Sequence, residues 1–282
     1  MKIATMLYST DYAMRPDKFA IACEERGFES VWYPEHTHIP ASRKSPFPAG
    51  GDLPKDYWHL YDPFVALTAA AAVTTDLKLG TGVCLITERD PIVTAKEVAS
   101  LDMLSDGRFM FGIGAGWNAE EMENHGTVFE TRWKVLEERI EAMRACWTQD
   151  DSEFHGKYVD FDSIWSWPKP VQKPHPPIIM GAASPWGRER VARYCDGWIP
   201  LPAQMQNIEE DLKDLETRLH KHGRKLSDIE ISFFWAPEDA DELKHYRDLG
   251  VDRAILGCPA MSDADTLKLL DEQAKLIDAI KS

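Results

Sequence analysis

Glu35 and His36 stand side by side in the segment Trp32-Tyr-Pro-Glu-His-Thr-His-Ile-Pro40, directly after a short apolar run with strand character. A carboxylate next to an imidazole at a strand end can move a proton or orient a polar ligand. The plainer alternative is that His36 caps the strand end and bonds to backbone. His36-Thr-His38 also has the spacing of the H-x-H pair of barrel metal hydrolases, which need further ligands at later strand ends. The later ends read Met180-Gly-Ala182, Ile199-Pro-Leu201 and Gly257-Cys-Pro259. They offer no imidazole or carboxylate, so no metal centre is expected.

A second concentration of unusual residues runs from Ser105 to Glu121. Ser105-Asp-Gly107 supplies a turn, and Phe109, Met110, Phe111 and Ile113 form a short apolar strand. Gly112, Gly114 and Gly116 then remove side chains from that strand's end, which implies that something bulky approaches the backbone there. A dinucleotide G-x-G-x-x-G fingerprint would need its third glycine at 117, where Trp117 stands, so that reading fails on spacing. Asn118, with Glu121 three residues later, reads as a helix N-cap. Leu79-Gly-Thr81-Gly82-Val83 is a patch of small residues at another strand end. Gly181-Ala182-Ala183-Ser184-Pro185 leads from a strand into a helix start, the form of an anion site, with Arg188 and Arg190 one turn inside.

These segments need a scaffold that brings strand ends together. Strand-like stretches fall near residues 2–8, 29–34, 77–83, 108–113, 177–181, 196–200, 229–235 and 253–257. Helical patterns fall near 16–26, 62–75, 91–104, 127–147, 185–194, 207–222, 239–249 and 263–281. Prolines at 16, 63, 91 and 185 mark helix starts, and Gly27 and Gly250 sit where C-caps belong. Strict alternation without a composition break predicts an α/β (β/α)8 TIM barrel, one domain over residues 1–282. Two connections are much longer than the usual few residues: about 37–61, after strand two, and about 148–176, before strand five. The first carries Tyr57, Trp58, His59 and Tyr61, aromatic and polar groups suited to a lid over a substrate.

The composition narrows the partners. The chain has 282 residues, 44% hydrophobic, with a formal charge of −15, which argues against nucleic acid or an anionic membrane surface. No signal peptide or membrane span is visible, so a cytoplasmic protein is expected. Five scattered cysteines without a C-x-x-C pair suggest buried thiols rather than a disulfide framework.

Taken in order, Trp32-Tyr-Pro-Glu-His36, Leu79-Gly-Thr-Gly-Val83, Ala95-Lys-Glu-Val-Ala-Ser-Leu-Asp-Met-Leu-Ser-Asp-Gly-Arg108, Gly112-Ile-Gly-Ala-Gly-Trp-Asn118 and Pro168-Lys-Pro-Val-Gln-Lys-Pro-His-Pro-Pro177 resemble the luciferase-like monooxygenase superfamily. Within it, the chain is most similar to the branch of coenzyme F420-dependent oxidoreductases. The resemblance covers most of the chain to about residue 200, and Ala182 departs from a more usual glycine.

The resemblance implies a flavin or deazaflavin at the barrel mouth, its ring over the ends of strands two to four and its phosphate near strand five. Glu35 and His36 match the acidic-His pair beside the ring, with His36 handling a proton and Glu35 orienting it. Gly82-Val83 falls where the family has a non-prolyl cis peptide, and Thr81 and Gly114 border the ring. Asn118 matches a polar ring contact, and Gly181, Ala182, Ala183 and Ser184 match the phosphate loop. Trp58, His59, Tyr61 and Trp117 are the expected substrate contacts.

Two chemistries follow: hydride transfer between coenzyme F420 and a small organic substrate, or FMNH2-dependent oxygenation, which would need a separate flavin reductase. A cofactor-binding protein without turnover is a third reading. A homodimer is usual for the relatives.

Overall fold

The computed structural model describes residues 1–281. Eight parallel strands close a barrel: β1 (Lys2–Leu7), β2 (Ser30–Tyr33), β3 (Lys78–Thr81), β4 (Phe109–Gly114), β5 (Ile178–Met180), β6 (Gly197–Trp198), β7 (Glu230–Ala236) and β8 (Arg253–Cys258). Each pairs with the next, and β8 pairs in parallel with β1 from Lys2↔Arg253 to Leu7↔Cys258, which closes the ring. The TIM barrel expected from the alternation is present.

The helices are α1 (Pro16–Glu25), α2 (Pro63–Ala71), α3 (Pro91–Leu104), α4 (Ala119–Asn124), α5 (Arg132–Thr148), α6 (Pro185–Tyr194), α7 (Ile208–Lys221), α8 (Ala240–Asp248) and α9 (Asp263–Ala279). Their starts follow from sequence. Asp62, Asp90 and Ser184 each accept an N–H from the first turn while proline occupies the position that needs no donor. Gly27 and Gly250 adopt φ of +79° and +92° after α1 and α8, a conformation that spares glycine the Cβ clash.

Two packed regions result. Strand faces that point outward meet the helices in the main core, with Phe19, Phe109, Phe111, Met143 and Leu215 among its members. Inward faces supply Ala4, Met6, Trp32, Met110, Ile179, Ile199 and Ile255, which fill the barrel interior, closed above by Tyr8, Val83 and Phe234. At the opposite end the fully buried Arg253 binds Glu29 at 2.7 and 2.8 Å, Glu230 at 2.9 Å and the Ser232 hydroxyl at 2.9 Å. Burial alone would raise the Glu29 pKa, but the Arg253 contacts overcome it and hold that carboxyl down at about 2.

The long connection before β5 contains an antiparallel pair, Ser152–His155 with Asp160–Ile164, where the sequence predicts only a long loop. The connection after β2 is irregular apart from a 3-10 turn at Lys55–Trp58. No helix among the described residues is long and apolar enough to cross a membrane.

Candidate functional site

His36 leaves the end of β2 and is almost fully enclosed. Its Nδ1 lies 2.8 and 3.0 Å from the two carboxylate oxygens of Glu121, on the first turn of α4. Asn118 places that helix: its side chain accepts the Glu121 N–H at 3.3 Å, the N-cap predicted from sequence. Backbone N–H groups of Thr37 and His38 also reach the Glu121 carboxylate, tying the loop after β2 to α4. Burial pushes the His36 pKa down to about 4, so the ring is neutral at pH 7.

The expected partnership of Glu35 with His36 is corrected by this geometry. Glu35 is buried with its carboxylate turned to the Leu85 N–H at 2.6 Å and the Arg89 Nε at 2.6 Å. It fastens the segment after β3 to the end of β2, because a buried carboxylate must satisfy its oxygens with donors and those are the ones in reach. Glu121 is the group that orients His36. Sequence reading noticed Glu121 only as a capping-box residue; its spacing from His36 carried no contact signal. His36 and His38 also diverge, since His38 bonds Asn124 at 2.9 Å and Thr37 at 3.0 Å.

The glycine run has a different use from the expected one. A Cβ at Gly112 would overlap the Thr81 carbonyl, and one at Gly80 would overlap the Trp32 indole. A Cβ at Gly114 would stand 2.6 Å from Val83 Cγ2, and one at Gly181 2.8 Å from Val83 Cγ1. The strand is stripped to admit Trp32 and the Gly82–Val83 segment, not to leave an empty slot. Gly82–Val83 is a cis peptide, at the position the resemblance implied. Val83, half-buried between Gly114 and Gly181, is thereby the shelf at the barrel mouth. Thr81 is fully buried and donates its hydroxyl to the Gly112 carbonyl at 2.7 Å, so it braces the shelf.

Aromatic side chains wall the mouth. The His36 ring meets Tyr57 at 5.3 Å and Trp117 at 5.8 Å between centroids, and Phe47 joins both. Tyr8, at the end of β1, donates its hydroxyl to Tyr57 at 3.0 Å and meets the Trp235 ring edge-on. Of the expected substrate contacts, Trp117 lies in this group. Trp58, His59 and Tyr61 do not: His59 bonds Asp11 at 2.9 Å, Trp58 packs on His59, and Tyr61 is anchored through its backbone to Ser9. Tyr8 and Phe47 were missed, since an aromatic residue at a strand end or in a Pro-rich loop looks like any other hydrophobic residue.

At β5, the Ala182 carbonyl accepts from the Trp198 indole at 2.8 Å and the Ala183 carbonyl from Arg188 at 2.9 Å. Both carbonyls are thus used within the protein, and Ser184 caps α6 by accepting the Gly187 N–H at 3.1 Å. Arg188 is spent on Asp211 and Asp214 of α7 and is not available to an anion. Arg190 and Arg132 flank the Trp133 ring from α6 and α5, and the buried Nε of each lacks a partner among the described residues. An apolar shelf, a capped helix start and two guanidinium groups that bond backbone carbonyls but no carboxylate among the described residues fit a flat heteroaromatic ring with an anionic tail.

Known proteins agree with this architecture. An uncharacterised protein of Mycobacterium tuberculosis is 39% identical over 281 residues, spanning 97% of this chain and 98% of its own. The FMNH2-dependent dimethylsulfone monooxygenase of Pseudomonas putida is 28% identical over 155 residues, 54% of this chain and 42% of that one. The solved structure of an F420-dependent secondary alcohol dehydrogenase, bound to an F420-acetone adduct, superposes with a TM-score of 0.78 at 18% identity, covering 100% and 99% of the two chains. That last likeness is one of fold. Residues 8–256 match the sequence family described as luciferase-like monooxygenase, and the chain belongs to that family.

Proposed function

We propose that this protein transfers a hydride between coenzyme F420 and a small organic substrate, with His36 supplying or removing the accompanying proton. The carrying observation is the neutral, enclosed His36 held at Nδ1 by Glu121, which leaves Nε2 as the nitrogen free to serve the mouth. A bound deazaflavin would supply the two-electron chemistry. Val83 and Gly82 would back the ring, with Gly114 and Thr81 holding that shelf. Gly181, Ala182, Ala183 and Ser184, with Arg190 and Arg132, would take the anionic tail. Asn118 acts by positioning Glu121, and Glu35 by fixing the shelf from behind through Leu85 and Arg89. Tyr8, Tyr57 and Trp117 exclude water around the reacting atoms.

One observation favours FMNH2-dependent oxygenation instead: the continuous aromatic wall from Tyr8 through Tyr57 and Phe47 to Trp117, of the kind an oxygenase needs to keep water out. The proteins this chain resembles include one of each kind by name, a monooxygenase in sequence and an F420-dependent dehydrogenase in fold.

Turnover separates the two. Under anaerobic conditions the purified protein is incubated with oxidised F420 and a panel of short secondary alcohols. Loss of F420 absorbance, abolished in His36→Ala, is expected. Oxygen consumption with reduced FMN and a sulfone or aldehyde, with no F420 reduction by any donor, would replace this reading with the oxygenase.

A further inference from the structure

We infer that Glu88 and Glu121 hold one proton between them, and that this shared proton decides whether His36 offers the mouth an N–H or a bare nitrogen. The inference rests on the reading above only for what receives the proton. Glu88 is 7% exposed and Glu121 fully buried. The Glu88 carboxyl faces that of Glu121 inside this enclosed cluster, and neither Glu88 oxygen has a hydrogen-bond partner among the described residues. Two carboxylates so placed cannot both be ionised without a cation between them.

The cation nearest to hand is already committed. Arg89 directs its nitrogens to Glu35, Asp62 and Glu97. The remaining charged groups around the pair are Glu35 from the end of β2, which adds negative charge, and Arg43 from the lid, which acts on His36. His125 at the end of α4 and Arg139 of α5 stand on the far side, while Thr37 and His38 contribute backbone N–H groups to Glu121. Burial first, and then the charges of Glu121 and Glu35, raise Glu88 well above the usual carboxylate range; burial, helped by Glu35, raises Glu121 as well, against the Glu88 contact and the Thr37 and His38 N–H groups, which lower it.

The consequence for His36 follows from valence. When the proton sits on Glu121, that carboxyl donates to Nδ1, and neutral imidazole must carry its own hydrogen on Nε2. When the pair has lost the proton, Nδ1–H donates to the carboxylate and Nε2 presents a lone pair. Delivery of a proton to the mouth breaks the Nε2–H bond as the Glu121 proton forms Nδ1–H. Glu88, ionised while Glu121 held the shared proton, then takes up a proton and leaves Glu121 as the carboxylate that accepts Nδ1–H. Glu88 lines a separate cavity of about 370 Å³ with His125, Arg139, Tyr158 and Asp160, so its own proton returns from that side. One proton moves from the outer cavity to the mouth, no electrons move, and the aromatic cover stays closed.

The test is nitrogen NMR of the full chain with labelled histidine and no cofactor, His36 being assigned from the signal lost in His36→Gln. The expected result is an Nε2–H tautomer at pH 7 that converts to Nδ1–H as pH rises. In Glu88→Gln the midpoint of that conversion moves to lower pH by about one unit or more, because one charge is gone and the amide can donate to Glu121. Glu88→Asp, which weakens the contact by shortening one side chain, shifts it the same way, and Glu121→Gln abolishes it. A midpoint unmoved in both Glu88 variants, or an Nδ1–H tautomer throughout in the parent protein, overturns the inference. A protein without F420 activity but with the conversion intact refutes the functional reading and leaves this one standing.

Discussion

His36 Nδ1 and the Glu121 carboxylate meet at 2.8 Å although one leaves a strand and the other opens a helix 85 positions further on. The barrel brings β2 and β4 to the same rim, and Asn118 sets the start of α4 so that Glu121 turns inward.

Glu121→Ala should therefore cost activity far more than stability. Removing the group that holds the imidazole is expected to lower kcat by about 10²-fold or more, the range for a misplaced acid-base residue. Stability should fall by only about 1–3 kcal/mol, the cost of leaving the Thr37 and His38 N–H groups without their acceptor. Steady-state kinetics alongside a melting curve check this, and an unchanged kcat would show that His36 works without Glu121.

Glu35→Ala should behave in the opposite sense. The Leu85 N–H would lose its acceptor in a buried place and Arg89 one of its carboxylates. A destabilisation of about 1–3 kcal/mol is expected from denaturant titration. The His36 tautomer at pH 7 should be retained, and its loss would restore Glu35 as the orienting group.

The glycines of β4 give a graded test. Gly112→Ala sets a methyl against the rigid Thr81 carbonyl, so a loss of about 3 kcal/mol or outright misfolding is expected. Gly114→Ala meets only the Val83 side chain, which can rotate. That variant should fold, while its cofactor affinity falls as the shelf shifts. Equal stability of the two by urea unfolding would contradict the assignment of Gly112 to backbone approach.

Most of the barrel was legible because its signals are local. Asp62-Pro63, Asp90-Pro91 and Ser184-Pro185 name helix starts, and β-branched or aromatic runs such as Phe109-Met-Phe111 name strands. The site was legible as far as its positions at strand ends. Its pairing was not, because Glu35 and His36 are neighbours in sequence but diverge in space, while Glu121 and Glu88 converge from distant segments. The β4 glycines misled for a related reason: a missing side chain announces close approach, yet only the packed structure shows that Trp32, Thr81 and Val83 are what approach.

The barrel floor predicts an acid limit. The Glu29 carboxyl, ordinarily near 4.5, is held at about 2 when folded, so the unfolded chain binds more protons between those values. The stability this contributes is present above about pH 4.5 and is lost as pH falls toward 2. Arg253→Met should destabilise the protein by about 3–5 kcal/mol at neutral pH, since it removes the buried cation of Glu29 and Glu230 and leaves them only the more exposed Lys78 and Lys2. The variant should also show a shallower loss between pH 4.5 and 2, measurable by urea unfolding across that range.

A mouth built in this way is expected to accept a deazaflavin. Ten tryptophans, among them Trp117 at the rim, make binding visible as fluorescence quenching. Titration of the purified protein with oxidised F420 and, separately, with oxidised and reduced FMN is the direct measurement. Saturable quenching by F420, weakened in Gly114→Ala and in Arg190→Ala, is the predicted result; tight binding of FMN in either form with none of F420 would contradict it.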